Sequence, residues 1–260
     1  MSLHTSLVKI EDEKISSEKA KKFIYSEKNG AESIFCYNNA RQVHGHITSY
    51  SNNIFSKLKI DCSPHFASLY KEPHFHYSQI PSGKSILLDG YFQSEKYFID
   101  FREWILDIFE PTLEVKKYIE EKYNNILNSN SCSIHVRRGD FAKLSQFHPV
   151  LEKNYYMQSI IRMNSINRDT KFIIFSDDIE WCKSNFQGDI FTFIEGERDY
   201  IDLYLMSMCQ NNIIANSSFS WWAAWLNNNK DKKIIAPKKW FGPALSHDIS
   251  DLIPNEWSVI

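Results

Sequence analysis

With 260 residues, 43% of them hydrophobic and 24% charged, and a formal net charge of -2, the chain has enough apolar material for the core of one large domain or two modest ones. The near-neutral balance excludes an extended nucleic-acid-binding surface, a trap for acidic substrates and a charged disordered tail, so any anion site has to be local. Five cysteines, Cys36, Cys62, Cys132, Cys182 and Cys209, an odd number without C-x-x-C or zinc-ligand spacing, read as reduced thiols of a cytoplasmic protein.

In chain order, the opening residues mix charged and hydroxyl side chains where a secretory signal would need a continuous apolar stretch. A helix is expected over Glu18–Lys28, followed by short aromatic-bearing segments at Ser33–Tyr37 and His74–Tyr77. The pairs His44, His46 and His74, His76 alternate as strand residues on one face would. No cysteine or carboxylate spacing completes a metal site around them, so they read as surface or acceptor-groove histidines. Phe98, Phe101, Trp104, Ile105, Ile108 and Phe109 recur at helical spacing, Pro111 interrupts, and a second helix is expected over Leu113–Leu127.

Strands and helices then alternate. Strands are expected at Cys132–Val136, Lys171–Phe175, Ile190–Ile194, Asn212–Ala215 and Lys233–Ala236; helices at Tyr155–Met163, just after Ser176, at Tyr200–Met208 and at Phe219–Leu226. This alternation predicts an α/β fold with a parallel sheet covered on both faces. The expected division is an N-terminal lobe with connecting helices over residues 1–127 and a C-terminal Rossmann-like lobe over residues 128–260. The apolar run Trp221–Leu226 is far shorter than the roughly 20 residues that cross a bilayer.

Three strand ends carry chemistry. His135 is a polar residue in an otherwise apolar strand that runs into Arg137, Arg138, Gly139 and Asp140. Open α/β sheets bind ligands at the carboxyl ends of their strands, and guanidinium forks match phosphate oxygens at any working pH. The alternative is that the arginines pair only with Asp140 and surface carboxylates; Gly139 would let the backbone turn away from the strand. After the next strand come Ser176, Asp177 and Asp178, of which one can cap the following helix, leaving a carboxylate for the ring N–H and amine of a guanine. The third end, Asn216, Ser217, Ser218 and Ser220, opens a strongly apolar helix whose free amides favour a phosphate, with Trp221, Trp222 and Trp225 as core. Asn216-Ser217-Ser218 also fits a glycosylation sequon, which reads as accidental without a secretory signal.

These motifs, with Gly90-Tyr-Phe-Gln-Ser-Glu-Lys-Tyr-Phe98 upstream, resemble the α-1,2-fucosyltransferases of glycosyltransferase family 11, over roughly Ser33 to Phe241. The resemblance implies a GT-B-like fold of two Rossmann-like lobes and a metal-independent enzyme without cofactor. The reaction implied is transfer of L-fucose from GDP-fucose to the 2-hydroxyl of a terminal galactoside, with inversion, in the synthesis of O-antigen or another surface glycan. It places the diphosphate on Arg137 and Arg138, the guanine on His135 and Asp178 with Asp177 beside it, and the phosphates also on Ser217 and Ser218 next to Asn216. Arg138, Asp140 and His135 become the catalytic candidates, with the base among His135, Asp140 and a first-lobe carboxylate.

The partners implied are a nucleotide-sugar donor and a galactose-containing acceptor, with no nucleic acid. The location implied is cytoplasmic, with peripheral contact to the inner membrane left open. The family ordinarily begins with a glycine-rich strand–turn–helix, whereas Met1–Lys28 holds no glycine and the first is Gly30. That departure supports an alternative reading, a GDP-sugar-binding protein with impaired catalysis; a transferase with another nucleotide-sugar donor is a further alternative.

Overall fold

The computed structural model describes residues 68–81 and 86–260. The expected helix at 18–28, the segment at 33–37, the glycine-free stretch at 1–28, His44, His46, Cys36 and Cys62 lie outside the described residues. The chain divides into two compact units: one holds Glu103–Ser246 and Asn255–Ile260, the other the described residues up to Arg102 together with His247–Pro254.

In the smaller unit, β1 (Ser68–Lys71) and β2 (Ile86–Asp89) pair in parallel. Two short 3-10 turns, Glu95–Tyr97 and Ile99–Phe101, then lead to α1 (Arg102–Ile108). The periodic stretch expected as one helix is therefore broken, and only its second half is α-helical.

The larger unit takes in α1 from Glu103 onward and continues with α2 (Leu113–Leu127), capped by the Thr112 hydroxyl, which accepts from the Val115 amide at 3.4 Å. The alternation follows as β3 (Ser131–Val136), α3 (Lys153–Ile166), β4 (Lys171–Ser176), α4 (Ile179–Asn185), β5 (Phe191–Phe193), α5 (Asp199–Met208), β6 (Asn211–Ile213), α6 (Ser218–Leu226), β7 (Ile234–Ala236) and β8 (Ser258–Val259). All six strands, β3 to β8, are parallel, in the spatial order β5-β4-β3-β6-β7-β8. The α/β class and the parallel sheet are as expected. The two-residue edge strand β8 went unrecognised because so short a segment has no periodicity to read.

Alternation along β3 sorts its side chains. Cys132, Ile134 and Val136 pack with Tyr156, Ile160 and Met163 of α3 and with Cys182 of α4. On the opposite face Ile173 and Phe175 of β4 pack with Val115, Ile119 and Ile126 of α2, with α5, and with Ala223 of α6. Each such fully buried large side chain contributes about 1.5–3 kcal/mol. α2 supplies three residues to this core, and the compact larger unit begins at Glu103.

The strand order positions the site. From β3 the sheet grows outward through β4 and β5; α5 then carries the chain back to place β6 on the other side of β3. Growth thus reverses between β3 and β6, and the crevice outside the carboxyl ends at such a switch point is where open α/β sheets bind ligands.

Candidate functional site

β3 ends at Val136 and delivers Arg137 and Arg138 to the carboxyl edge, with the end of β4 on one side and the β6–α6 turn on the other. The sheet therefore brings together all three strand ends singled out in the sequence. Arg137 is bracketed by two carboxylates: Nη2 donates to Asp140 Oδ1 at 2.7 Å, and Nη1 lies 3.0 Å from Asp177 Oδ2. Arg138 donates through Nε to Asp178 Oδ2 at 3.0 Å and lies over the Trp181 ring, its Cζ 4.1 Å from the centroid. No carboxylate among the described residues reaches its two Nη atoms. The cation–π contact and the Nε hydrogen bond thus hold the guanidinium while leaving its forked end for a ligand.

The expectation that one carboxylate of the pair stays uncommitted is corrected. Asp178 is the N-cap of α4, its Oδ1 accepting from the Trp181 amide at 3.3 Å while Oδ2 takes Arg138. Asp177 accepts the Arg138 backbone amide on Oδ1 at 2.9 Å and Arg137 on Oδ2. Both are engaged because the short β4–α4 turn points them at the neighbouring β3 loop, a relation that spacing does not reveal.

The reason for Gly139 is also different. Its φ is not positive; instead a Cβ there would lie 2.7 Å from Asp177 Oδ2, inside the contact that holds Arg137. Gly139→Ala should therefore displace the Asp177 carboxylate while leaving the distant core intact. We expect kcat/KM to fall about tenfold or more, as misplacement in a site commonly costs that much, with Tm nearly unchanged; paired activity and melting measurements check this.

His135 is 6% exposed, packs 5.5 Å from the Phe219 ring, and has no recorded partner for Nδ1. Burial lowers its pKa to about 4, so the ring is neutral at physiological pH and offers one donor and one acceptor. A group so far below neutrality is a weak proton acceptor.

Ser217, in extended backbone, is the N-cap of α6 and makes no side-chain cap hydrogen bond, so the first-turn amides keep their donors. Ser217 and Ser218 are half-buried at that turn. Ser220 turns inward, accepting from the Ala215 amide at 3.2 Å and donating to Ser217 O at 3.3 Å, which removes it from the set facing a ligand. Asn216 is 2% exposed and donates through Nδ2 to the carbonyls of Pro149 and Trp240, each at 3.0 Å. It ties the turn to two loops, and burial rules it out as a glycan acceptor in the folded chain.

Asp202 escaped the sequence reading. It lies in the first turn of α5, which starts beyond β5 and so at the same carboxyl edge, on the face of the sheet that His135 shares. Its Oδ1 is buried without a recorded partner, and burial, reinforced by Glu197 and Asp199, raises its pKa to about 7. The available signal was a lone acid inside the apolar run Ile201-Asp-Leu-Tyr-Leu-Met206. Nearby, Glu197 Oε1 collects the Tyr118 hydroxyl at 2.9 Å, the Tyr123 hydroxyl at 2.7 Å and Lys122 Nζ at 2.5 Å, which anchors the segment leading into α5 to α2.

A raised carboxyl pKa in the fold means that the native state keeps a proton the unfolded chain has lost between pH about 4 and about 7. Stability therefore falls as pH rises across that window. Asp202→Asn should abolish the fall, so the variant melts above the parent chain at pH 8 and level with it near pH 4; equal melting differences at both pH values would refute this.

Among the described residues no group of three or more His, Cys, Asp or Glu could hold a metal, and the rings of His74 and His76 stack on one another at 4.0 Å. Cys132, Cys182 and Cys209 are buried free thiols, with burial pushing Cys209 up to about 12. No helix among the described residues is long and apolar enough to cross a membrane. A cavity of about 630 Å³ lies at the opposite, amino-terminal edge of the sheet, between Phe109, Met208 and Asn227. Among the described residues its lining holds neither arginine nor histidine.

An α-1,2-colitosyltransferase from Escherichia coli is 37% identical over 217 residues, 79% of this chain and 71% of its own. The O-antigen biosynthesis glycosyltransferase WbnK, also from Escherichia coli, is 35% identical over 65% of this chain and 59% of its own. The galactoside 2-α-L-fucosyltransferase SEC1 of Bos taurus is 27% identical over 58% of this chain and 44% of its own. The sequence model described as glycosyl transferase family 11 matches residues 47–260, taking in the whole parallel sheet and every residue of its carboxyl edge; the chain belongs to that family.

Proposed function

We propose that the chain transfers L-fucose from GDP-fucose to the 2-hydroxyl of a terminal galactoside with inversion, without a metal, in the synthesis of a surface glycan. The observation that carries this reading is the guanidinium of Arg138, held between Asp178 and Trp181, its forked end uncommitted at the switch point beside the uncapped N-terminus of α6. Together they form a cradle for a diphosphate leaving group. As the bond from sugar to diphosphate breaks, negative charge grows on the diphosphate, and donors already aimed there lower the barrier by a few kcal/mol.

Two arginines face three carboxylates here, Asp140, Asp177 and Asp178. A diphosphate must therefore compete with Asp140 and Asp177 for Arg137, while Arg138 takes it directly. With both acids of the β4–α4 turn engaged, the guanine reader is reassigned to Asp202: its ionised form accepts from the N–H and amine of the base, with neutral His135 on the same face as second partner. His135 accordingly serves binding, and Asp140, half exposed, remains the base candidate of this unit.

The test is turnover of GDP-fucose with lactose and related galactosides, with linkage analysis of the product. An α-1,2-linked fucoside is the expected result; GDP binding without turnover across the galactosides would instead support a binding protein. A second donor reading has a specific observation behind it, the 37% identity to a colitosyltransferase. Colitose is fucose without its 3-hydroxyl, and a site built to hydrogen-bond that hydroxyl rejects the deoxy sugar strongly. Side-by-side competition of the two GDP-sugars decides between them.

A further inference from the structure

The smaller unit contains a surface that the donor site does not explain. Gly90, Tyr91 and Phe92 form a turn gripped by one carboxylate: Glu72 Oε2 accepts the Tyr91 amide at 2.7 Å and Oε1 accepts the Phe92 amide at 3.1 Å. A Cβ at Gly90 would collide with the Glu72 side chain, so this grip requires glycine there. Phe92 is held at φ +48, a conformation that costs a bulky residue about 1–3 kcal/mol and persists where the surroundings over-determine it. The effect is to bury Phe92, at 8% exposure, and to turn the Tyr91 ring outward, at 51%.

Beside that ring lies an aromatic row. Phe75 is 6.1 Å from Tyr91 and stacks on His247 at 4.7 Å with 21° between planes, while His74 and His76 stack at 4.0 Å. Hydrogen-bonding groups border it: Ser78 Oγ bonds His74 Nε2 at 3.0 Å, Asp251 accepts the Tyr77 amide and Lys96, and the exposed Asp248 feels both His74 and His76. Tyr91, His247 and Asp248 are exposed, and Phe75 is half-buried between the first two.

We infer that Tyr91, Phe75 and His247 form a stacking platform for the acceptor saccharide. The apolar C–H face of a galactoside ring lies against flat side chains, and its hydroxyls find imidazole and carboxylate partners along the border. A protein partner would favour a larger continuous apolar patch than three rings divided by polar groups, and a transferase of this family needs an acceptor site. The inference rests on the proposed glycosyl transfer for its choice of ligand, and its chemistry fits a neutral saccharide rather than a nucleotide, because the groups that border the rings among the described residues are imidazoles, hydroxyls and carboxylates.

The experiment pairs kinetics with direct binding. With GDP-fucose as donor and lactose as acceptor, Tyr91→Ala and His247→Ala should each raise acceptor KM at least about fivefold, equivalent to about one kcal/mol of stacking. Donor KM should stay unchanged, and Tyr91→Phe should stay within about twofold of the parent, since it keeps the ring. Acceptor KM unchanged in both alanine variants overturns the platform. In parallel, saturation-transfer NMR with lactose, N-acetyllactosamine and lacto-N-biose reads binding without turnover. Signal present in the parent chain and lost in Tyr91→Ala supports the platform even if no fucose is transferred, so that failure of transfer and failure of the platform are told apart. No saccharide signal in the folded parent chain overturns it.

Discussion

Replacing Arg138 by alanine should lower GDP affinity by about 100-fold or more, and kcat/KM for GDP-fucose by about a thousandfold. The side chain projects two uncommitted Nη donors from the end of β3, and a hydrogen bond to a charged group contributes roughly 1.5–3 kcal/mol. Two such bonds amount to about 3–6 kcal/mol, where each 1.4 kcal/mol is a factor of ten. The excess effect on kcat/KM follows from charge that grows on the diphosphate only as the sugar departs. Arg138→Lys should recover part of the binding and little of the catalysis, since an ammonium keeps the charge but neither the fork nor the fit against Trp181. Calorimetric titration with GDP and initial-rate kinetics read both effects, with circular dichroism to establish folding. GDP affinity within threefold of the parent in Arg138→Ala would remove the diphosphate from this arginine and with it the proposed donor orientation.

The second large effect is on stability and comes from buried asparagines. Asn212, 1% exposed, donates through Nδ2 to Ser133 Oγ at 2.7 Å and to Met206 O at 2.8 Å, while its Oδ1 accepts from Asn227 Nδ2 at 2.8 Å. Asn227, equally buried, also donates to Cys209 O at 2.8 Å. One side chain thus links β3, β6, the end of α5 and the end of α6. Asn212→Ala leaves a hydroxyl, a carbonyl and an amide short of partners where water has little access, and each costs about 1–3 kcal/mol. We expect a loss of about 4 kcal/mol and, at 2–4 °C per kcal/mol for a chain of this size, a Tm lower by roughly 10 °C. Ser133→Ala, which strands a single donor, should cost about 1 kcal/mol. A melting point for Asn212→Ala within 2 °C of the parent would mean that water enters and replaces these bonds.

The contrast between these two variants shows what was legible in sequence. The arginine pair was readable because an apolar strand ending in charge has only one place to put that charge, the carboxyl edge of a parallel sheet. The asparagine network was not, since Asn212 and Asn227 look like ordinary polar residues near element ends until β6 pairs with β3 and buries them.

By itself, then, the sequence determined the local elements of the larger unit and the identity of the strand-end groups. Periodicity and turn chemistry act over a few residues, and β3, α3, β4, α5 and α6 were each anticipated to within a few residues of their ends. Tertiary structure decided which groups meet. It committed Asp177 and Asp178 to the arginines, brought Asp202 to the edge and face that His135 occupies, and filled the space a Cβ at residue 139 would need with the Asp177 carboxylate. The physical reason is that contacts between residues 138 and 178, or 139 and 177, are set by strand order and crossover direction, which single-chain periodicity does not encode. The pairing of Phe92 strain with the Glu72 carboxylate, which turns Tyr91 outward, is of the same kind: a conformation that no local preference selects, held by a group twenty residues away in the chain.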